Sequence, residues 1–152
     1  MNIFVLNQDP IIAAQDQCDK HVVKMPLESA QMLCTVAIIN GLTAPYRMTH
    51  KNHPCTIWAG STKRAFEWLV VHGLALCEEY HVRYGKEHKS KDVIEQIASL
   101  PLQLPSGEMP CFAQAMPDQY RQADPVAAYR AFYRGEKARF ATWKTSVPTW
   151  WC

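Results

Sequence analysis

Proline placement constrains this chain more than any other feature. Pro10 follows Asp9 and Pro125 follows Asp124. An aspartate at N-cap accepts the unpaired amides of a first helical turn, and a proline at N1 has no N–H to leave unpaired, so both pairs predict helix starts. From Pro10 the apolar positions Ile12, Val22, Val23, Leu27, Ala30, Leu33, Ala37 and Ile38 predict a long helix ending near Asn40–Gly41. Pro26 interrupts it. The missing N–H and the clash with the carbonyl four residues earlier predict a kink or break between Val22 and Met25. Six of the ten prolines lie between Pro101 and Pro148, and the stretch from Pro101 to Pro117 predicts an extended surface strap.

The remaining segments fall between these landmarks. Residues 2 to 6, Asn-Ile-Phe-Val-Leu, predict a strand or an extended lead-in. Leu42 to Gly60 has no stable periodicity and predicts a loop presenting His50, Asn52, His53 and Trp58. Ser61 is a predicted cap for a helix carrying Phe66, Leu69, Val70, Gly73, Leu74, Cys77 and Tyr80, stopped at Tyr84–Gly85. Ser90 is the predicted cap of a short helix to about Leu100, and the helix from Pro125 is predicted to reach about Lys144. The fold class expected is all-α, one compact domain over residues 1–152 with a short N-terminal extended segment and a long proline-rich strap.

Composition bounds this expectation. With 152 residues, 48% of them hydrophobic and 20% charged, an apolar core suffices without disulfide or metal staples. The apolar runs Cys34 to Ile39 and Trp68 to Cys77 are shorter than the roughly 20 residues of a spanning helix, so no membrane association is expected. No basic segment precedes the apolar N-terminal stretch and no cleavage site follows it, which predicts a cytoplasmic protein. The six cysteines, Cys18, Cys34, Cys55, Cys77, Cys111 and Cys152, form no CxxC pair, so reduced thiols are expected. A net charge of +2 is compatible with a nucleic-acid partner only if the cations cluster.

Clusters are present. Asp16, Lys20, Lys24 and Glu28 recur at steps of four along the first helix, with Asp19 and His21 beside them. The stripe reads either as a solvated face laced with ion pairs or as a nucleophilic amine, a proton-transfer group and phosphate contacts gathered near a kink. His50-Lys51-Asn52-His53-Pro54-Cys55, with Cys18, His21 and Cys111, contains zinc-type ligands but matches no strong template. The alternative is that His53 caps the loop while Cys18 and Cys55 are buried thiols. His72 reads as a packing histidine. Arg83, Tyr84 and Lys86 end one helix, and Arg130, Arg134 and Lys137 share a face of the last; both groups read as DNA contacts or as ordinary helix-end cations. Trp150 and Trp151 extend that basic surface or, for at least one of the two, form a lid over the core.

The order of these pieces resembles the phage and bacterial pyrimidine-dimer DNA glycosylases of the endonuclease V type. The resemblance rests on Met25-Pro26-Leu27-Glu28, Asn52-His53-Pro54, the Glu78 to Lys91 stretch with its Arg-Tyr-Gly, and Val147-Pro148-Thr149-Trp150. It implies a compact helical fold in which an N-terminal α-amine attacks deoxyribose C1′, a first-helix glutamate assists, and a Schiff base permits strand cleavage. By position, Met1 would supply the amine and Glu28 the carboxylate, with Lys20, His21 and Lys24 near the phosphates. An α-amine ordinarily titrates near 7.7 to 8.0, low enough to supply neutral amine at physiological pH.

The expected function is therefore a DNA glycosylase, with or without an abasic-site lyase step, acting on a damaged or modified base. Its expected catalytic residues are Met1, His21, Lys24 and Glu28. Lys20, Asn52, His53, Arg83, Tyr84, Lys86, Arg130 and Arg134 are the expected contacts to duplex DNA. No cofactor, metal or obligatory protein partner is expected. Two alternatives remain: an enzyme using the same Lys, His and Glu cluster on free nucleotides, and a non-enzymatic nucleic-acid-binding module, with or without zinc on Cys18, His21, His53 and Cys55.

Overall fold

The computed structural model describes residues 1–151; Cys152 lies outside the described residues. Among them are six α-helices and no strand: α1 (Pro10–Asp16), α2 (Asp19–Ile39), α3 (Pro54–Ala59), α4 (Lys63–Tyr84), α5 (Ser90–Ala98) and α6 (Pro125–Phe132). The capping residues act as their chemistry dictates. Asp9 Oδ1 accepts the amides of Ile11 and Ile12 at 2.8 and 3.2 Å, and Asp124 Oδ1 accepts that of Val126 at 3.0 Å. At the end of α2 the amides of Gly41 and Leu42 donate back to Ile38 and Ala37 in a Schellman turn, and a left-handed Gly85 closes α4.

The first helix does break, but at Gln17–Cys18 instead of between Val22 and Met25. Both residues are extended there, and Pro26 sits inside a continuous α2. Two tertiary contacts account for this. Arg83 Nη1 and Nη2 donate to the carbonyls of Gln17 and Gln15 at 2.8 and 2.9 Å, while the Tyr133 hydroxyl accepts the Cys18 amide at 3.2 Å. Near Pro26, His88 Nδ1 accepts the Ser90 amide, so its proton is on Nε2, which donates to the Val23 carbonyl at 3.0 Å. That bond braces the turn just before Pro26, one residue on from Val22, whose carbonyl is the one the proline leaves without an amide.

Ile3, Phe4, Val5 and Leu6 are buried without a partner strand. Side chains satisfy this segment instead: Asn2 Oδ1 accepts the amides of Ile3 and Phe4, Arg130 Nε donates to Leu6 O, and Trp68 Nε1 donates to Gln8 O. Phe4 adopts a φ of 43°, uncommon outside glycine, and this turns the N-terminus back against α2.

The predicted loop after Leu42 contains α3, capped by His53 Nδ1, which accepts the Cys55 amide at 3.1 Å ahead of Pro54. Trp58 is accordingly buried on a helix. Thr62 caps α4, and α5 starts at Ser90 with Lys89 in the cap position, so Ser61 and Ser90 are each displaced by one from the predicted role. The last helix ends twelve residues before Lys144: a π-type turn, Tyr133–Lys137, follows α6. The Tyr120 ring packs so closely on Gly135 within this turn that no Cβ would fit. Residues 101–117 carry no helix, as the strap requires.

The core forms where α2 packs on α4 and α5, with α1 also against α4. Gly73 makes the contact close, since a Cβ there would lie 2.9 Å from Ile94 Cδ1 and 3.4 Å from Ser29 Cβ. By length and hydropathy α2 could cross a membrane, although neither apolar run in the sequence suggested it; 67% of that stretch is buried inside the molecule as the central helix. Trp143 and Trp150 lie over α1, donating to Asp16 O and Asp16 Oδ2 at 3.0 and 2.9 Å.

Candidate active site

Turning the N-terminus against α2 places the Met1 amine 3.3 Å from Glu28 Oε1, and the same oxygen accepts the Asn2 amide at 3.0 Å. Lys24 Nζ is 3.5 Å from Glu28 Oε2. A carboxylate that is 6% exposed needs compensating charge, and here two cations and a backbone N–H supply it. Asn2 is tied in turn by its amide nitrogen to Ala115 O at 2.7 Å, so the strap helps hold the amine in register.

Met1 and Glu28 face a cleft of about 320 Å³ that Lys20, His21, Lys24 and Lys137 also line. The floor is aromatic. His21 stacks on Phe4 with ring centroids 4.3 Å apart, and Lys137 Nζ lies 4.8 Å from the Phe132 ring centre and 5.8 Å from that of Phe4. Burial lowers the Lys137 pKa, with Glu136 opposing the shift.

His21 is no phosphate-pairing cation. Burial, reinforced by Lys137, Lys24 and Lys20, pushes its pKa down to about 3, so it is neutral at physiological pH. Its Nδ1 is hydrogen-bonded to the Tyr133 hydroxyl, which anchors the ring as a wall of the cleft.

The structure brings Met1, Lys20, His21, Lys24 and Glu28 together, leaves His53 beside them, and separates the rest. The break before α2 takes Asp16 off the stripe. Asn52 is exposed on the loop before α3. His53 lies within electrostatic reach of the Met1 amine and Glu28, and its pKa is lowered by burial first and by that amine second. Because its Nδ1 accepts the Cys55 amide, the proton of the neutral ring is on Nε2.

Arg83 is a correction to the expected DNA contacts. Its side chain is fully buried, 3.1 Å from Asp19 Oδ1 and 2.9 Å from Glu79 Oε1, besides clamping the two α1 carbonyls. A guanidinium with its donors committed in this way has none to offer a phosphate. Tyr84 is partly exposed beneath Lys144, whose Nζ is 5.4 Å from the ring centre, and Lys86 is exposed beyond Gly85. Arg130 and Arg134 do not share the face of Lys137. The π-type turn shifts the register between them, so Arg130 stacks on Trp150 at 5.3 Å and Arg134 donates to Trp150 O at 3.2 Å.

Among the described residues no three His, Cys, Asp or Glu side chains are grouped to hold a metal ion. The zinc alternative therefore has no ligand cluster: Cys18 Sγ accepts the Tyr133 hydroxyl at 3.6 Å, and burial raises the Cys55 thiol to about 12. Asn2, Phe4, Met25, Phe132, Lys137 and Phe140 are the cleft residues that sequence reasoning did not assign to the site. Only Lys137 had carried a signal, its place among the cations after Pro125.

A family model described as pyrimidine dimer DNA glycosylase matches residues 1–92. The match spans Met1, Glu28 and α1 to α4, and stops short of Lys137 and Phe140. No curated protein and no solved structure matches the chain.

Proposed function

From the chain's membership of the pyrimidine dimer DNA glycosylase family, which a match over residues 1–92 of 152 establishes, we propose that it is a DNA glycosylase and abasic-site lyase whose nucleophile is the Met1 α-amine. The observation that carries this reading is the buried Met1–Glu28 pair at 3.3 Å, facing a cleft lined by lysines.

The ammonium gives a proton to Glu28, and the nitrogen lone pair attacks C1′ of the target nucleotide. The N-glycosidic bond breaks and the base leaves with its electron pair, taking the proton that the newly bonded nitrogen sheds. The C1′–O4′ bond then opens as the iminium forms, and O4′ takes the proton held by Glu28. Loss of a C2′ proton to water drives cleavage of the C3′–O bond, with the electrons leaving on the phosphate. Water finally hydrolyses the imine and restores the amine. Glu28 suits both proton transfers because Oε1 already touches the amine.

Lys20, Lys24 and Lys137 serve as phosphate contacts in this reading, and neutral His21 as a hydrogen-bonding wall. The damaged nucleotide must leave the stack to reach C1′, which suits an aromatic cleft. The test is incubation with duplexes carrying a pyrimidine dimer, another damaged pyrimidine or none. Strand cleavage at the damaged site alone supports the proposal; intact damaged duplexes overturn it.

A further inference from the structure

Beyond the reacting groups, the cleft holds an aromatic ring for which the proposed chemistry assigns no role. Phe140 follows the π-type turn, where its own amide and that of Ala141 donate to Lys137 O at 3.1 and 2.9 Å. Its side chain is half-buried and lines the same cleft as Met1 and Glu28, edge-on to His21 with centroids 5.7 Å apart. Three cations surround it: Lys20 Nζ at 4.8 Å, Arg139 Cζ at 5.8 Å and Lys137 Nζ at 6.0 Å from the ring centre. None of the three forms a salt bridge among the described residues, whereas Lys24 beside them is paired with Glu28. Like charges gathered this closely repel one another, and a polyanion relieves the repulsion. A phosphate site alone would not need an apolar ring at its centre. A ring partly open to solvent among unpaired cations is what a strand of DNA engages with base and backbone together.

We propose that Phe140 is the platform on which an unpaired nucleobase stacks while Lys20, Lys137 and Arg139 hold the flanking phosphates. This deepens the proposed function, since it assigns substrate recognition to a residue outside the segment matching the family. It also names the preferred substrate: a duplex in which one base already stands out of the stack.

The experiment measures Kd by fluorescence anisotropy for a fully paired duplex and for the same duplex with one bulged nucleotide, across a salt series. Wild type is compared with Phe140→Leu, Phe140→Trp and Lys137→Ala. The leucine keeps apolar bulk against His21, and a thermal melt matching wild type shows that the fold is kept.

Phe140→Leu is expected to weaken binding to the bulged duplex about tenfold while changing neither paired-duplex affinity nor the salt slope. Phe140→Trp should bind the bulge as wild type does. Lys137→Ala should weaken both duplexes and flatten the slope. The proposal is overturned if Phe140→Leu binds the bulge as tightly as wild type, weakens both duplexes equally, or changes the salt slope as Lys137→Ala does. The readout is binding, so it is separable from catalysis. Tight bulge binding without cleavage of any damaged duplex would sink the glycosylase reading and leave the platform standing.

Discussion

The Met1 amine and the Glu28 carboxylate meet at 3.3 Å although a helical break and twenty-six intervening residues separate them. Glu28 is buried and also accepts the Asn2 amide, so the carboxylate is held both by charge and by the backbone next to the nucleophile. Replacing Glu28 by Gln removes the proton acceptor while keeping the shape. Base release by Glu28→Gln should fall at least a hundredfold, within the range of a positioned acid–base group, with duplex Kd changed less than threefold. Gel assays of cleavage and anisotropy on the same preparation check both halves. Wild-type turnover by this variant would remove Glu28 from the mechanism.

The assignment of Arg83 as an internal clamp makes a different demand. Arg83→Ala strands Asp19 and the Gln15 and Gln17 carbonyls in the interior, and breaking a buried ion pair on one side costs about 3–5 kcal/mol. Urea unfolding should show that loss. If Arg83→Ala unfolds at the wild-type midpoint yet binds DNA weakly, the residue is a surface contact after all.

Salt dependence separates the cations of the cleft from those of the tail. Lys20→Ala and Lys137→Ala should each lower the slope of log K against log salt by about 0.9, the contribution of one phosphate contact. Arg130→Ala should leave the slope unchanged, because its guanidinium is engaged with Leu6 O and the Trp150 ring. Titrations between 50 and 200 mM salt, on the order of the range over which such contacts weaken, would show the difference. A slope lowered equally by Arg130→Ala would place the tail in the interface.

Two buried histidines tie stability to pH. Burial pushes His21 down to about 3 and His72 to about 4; the latter donates from Nδ1 to Pro10 O and accepts the Gln17 amide on Nε2. The unfolded chain takes up these protons near pH 6.5 and the folded chain resists them, so their full contribution is present above 6.5. It is lost as pH falls from about 6.5 through the folded values, by up to about 1.4 kcal/mol per pH unit for each histidine. Urea midpoints at pH 5 should lie clearly below those at pH 7. Equal midpoints would mean that neither ring resists protonation in the fold.

How far the sequence foretold this molecule depended on how local each determinant is. Asp9-Pro10 and Asp124-Pro125 announced helix starts because capping involves neighbours only, and Gly41 and Gly85 announced ends for the same reason. The break at Gln17–Cys18 was misplaced at Pro26 because Arg83 and Tyr133, its causes, are distant in the chain. The last helix was overextended because the Tyr120 ring against Gly135 cannot be read from periodicity.

In the site, the four-residue spacing of Lys20, Lys24 and Glu28 was legible, as was the pairing with Met1 that the family resemblance implied. Arg83 was misread since a cation at a helix end looks alike in sequence whether it is buried or exposed. Phe140 and Lys137 reach the cleft only through the turn after α6; in the sequence Lys137 shows only as one cation among those after Pro125, and nothing local marks Phe140.

The central claim is tested most directly by borohydride trapping on a duplex with an abasic site, followed by peptide mapping. Hydride reduction of the iminium would lock the sugar onto its nitrogen as a secondary amine. One adduct is expected, on the Met1 α-amine, and little adduct with Glu28→Gln. An adduct on Lys24 or Lys137, or none with protein that still cleaves the strand, would contradict it.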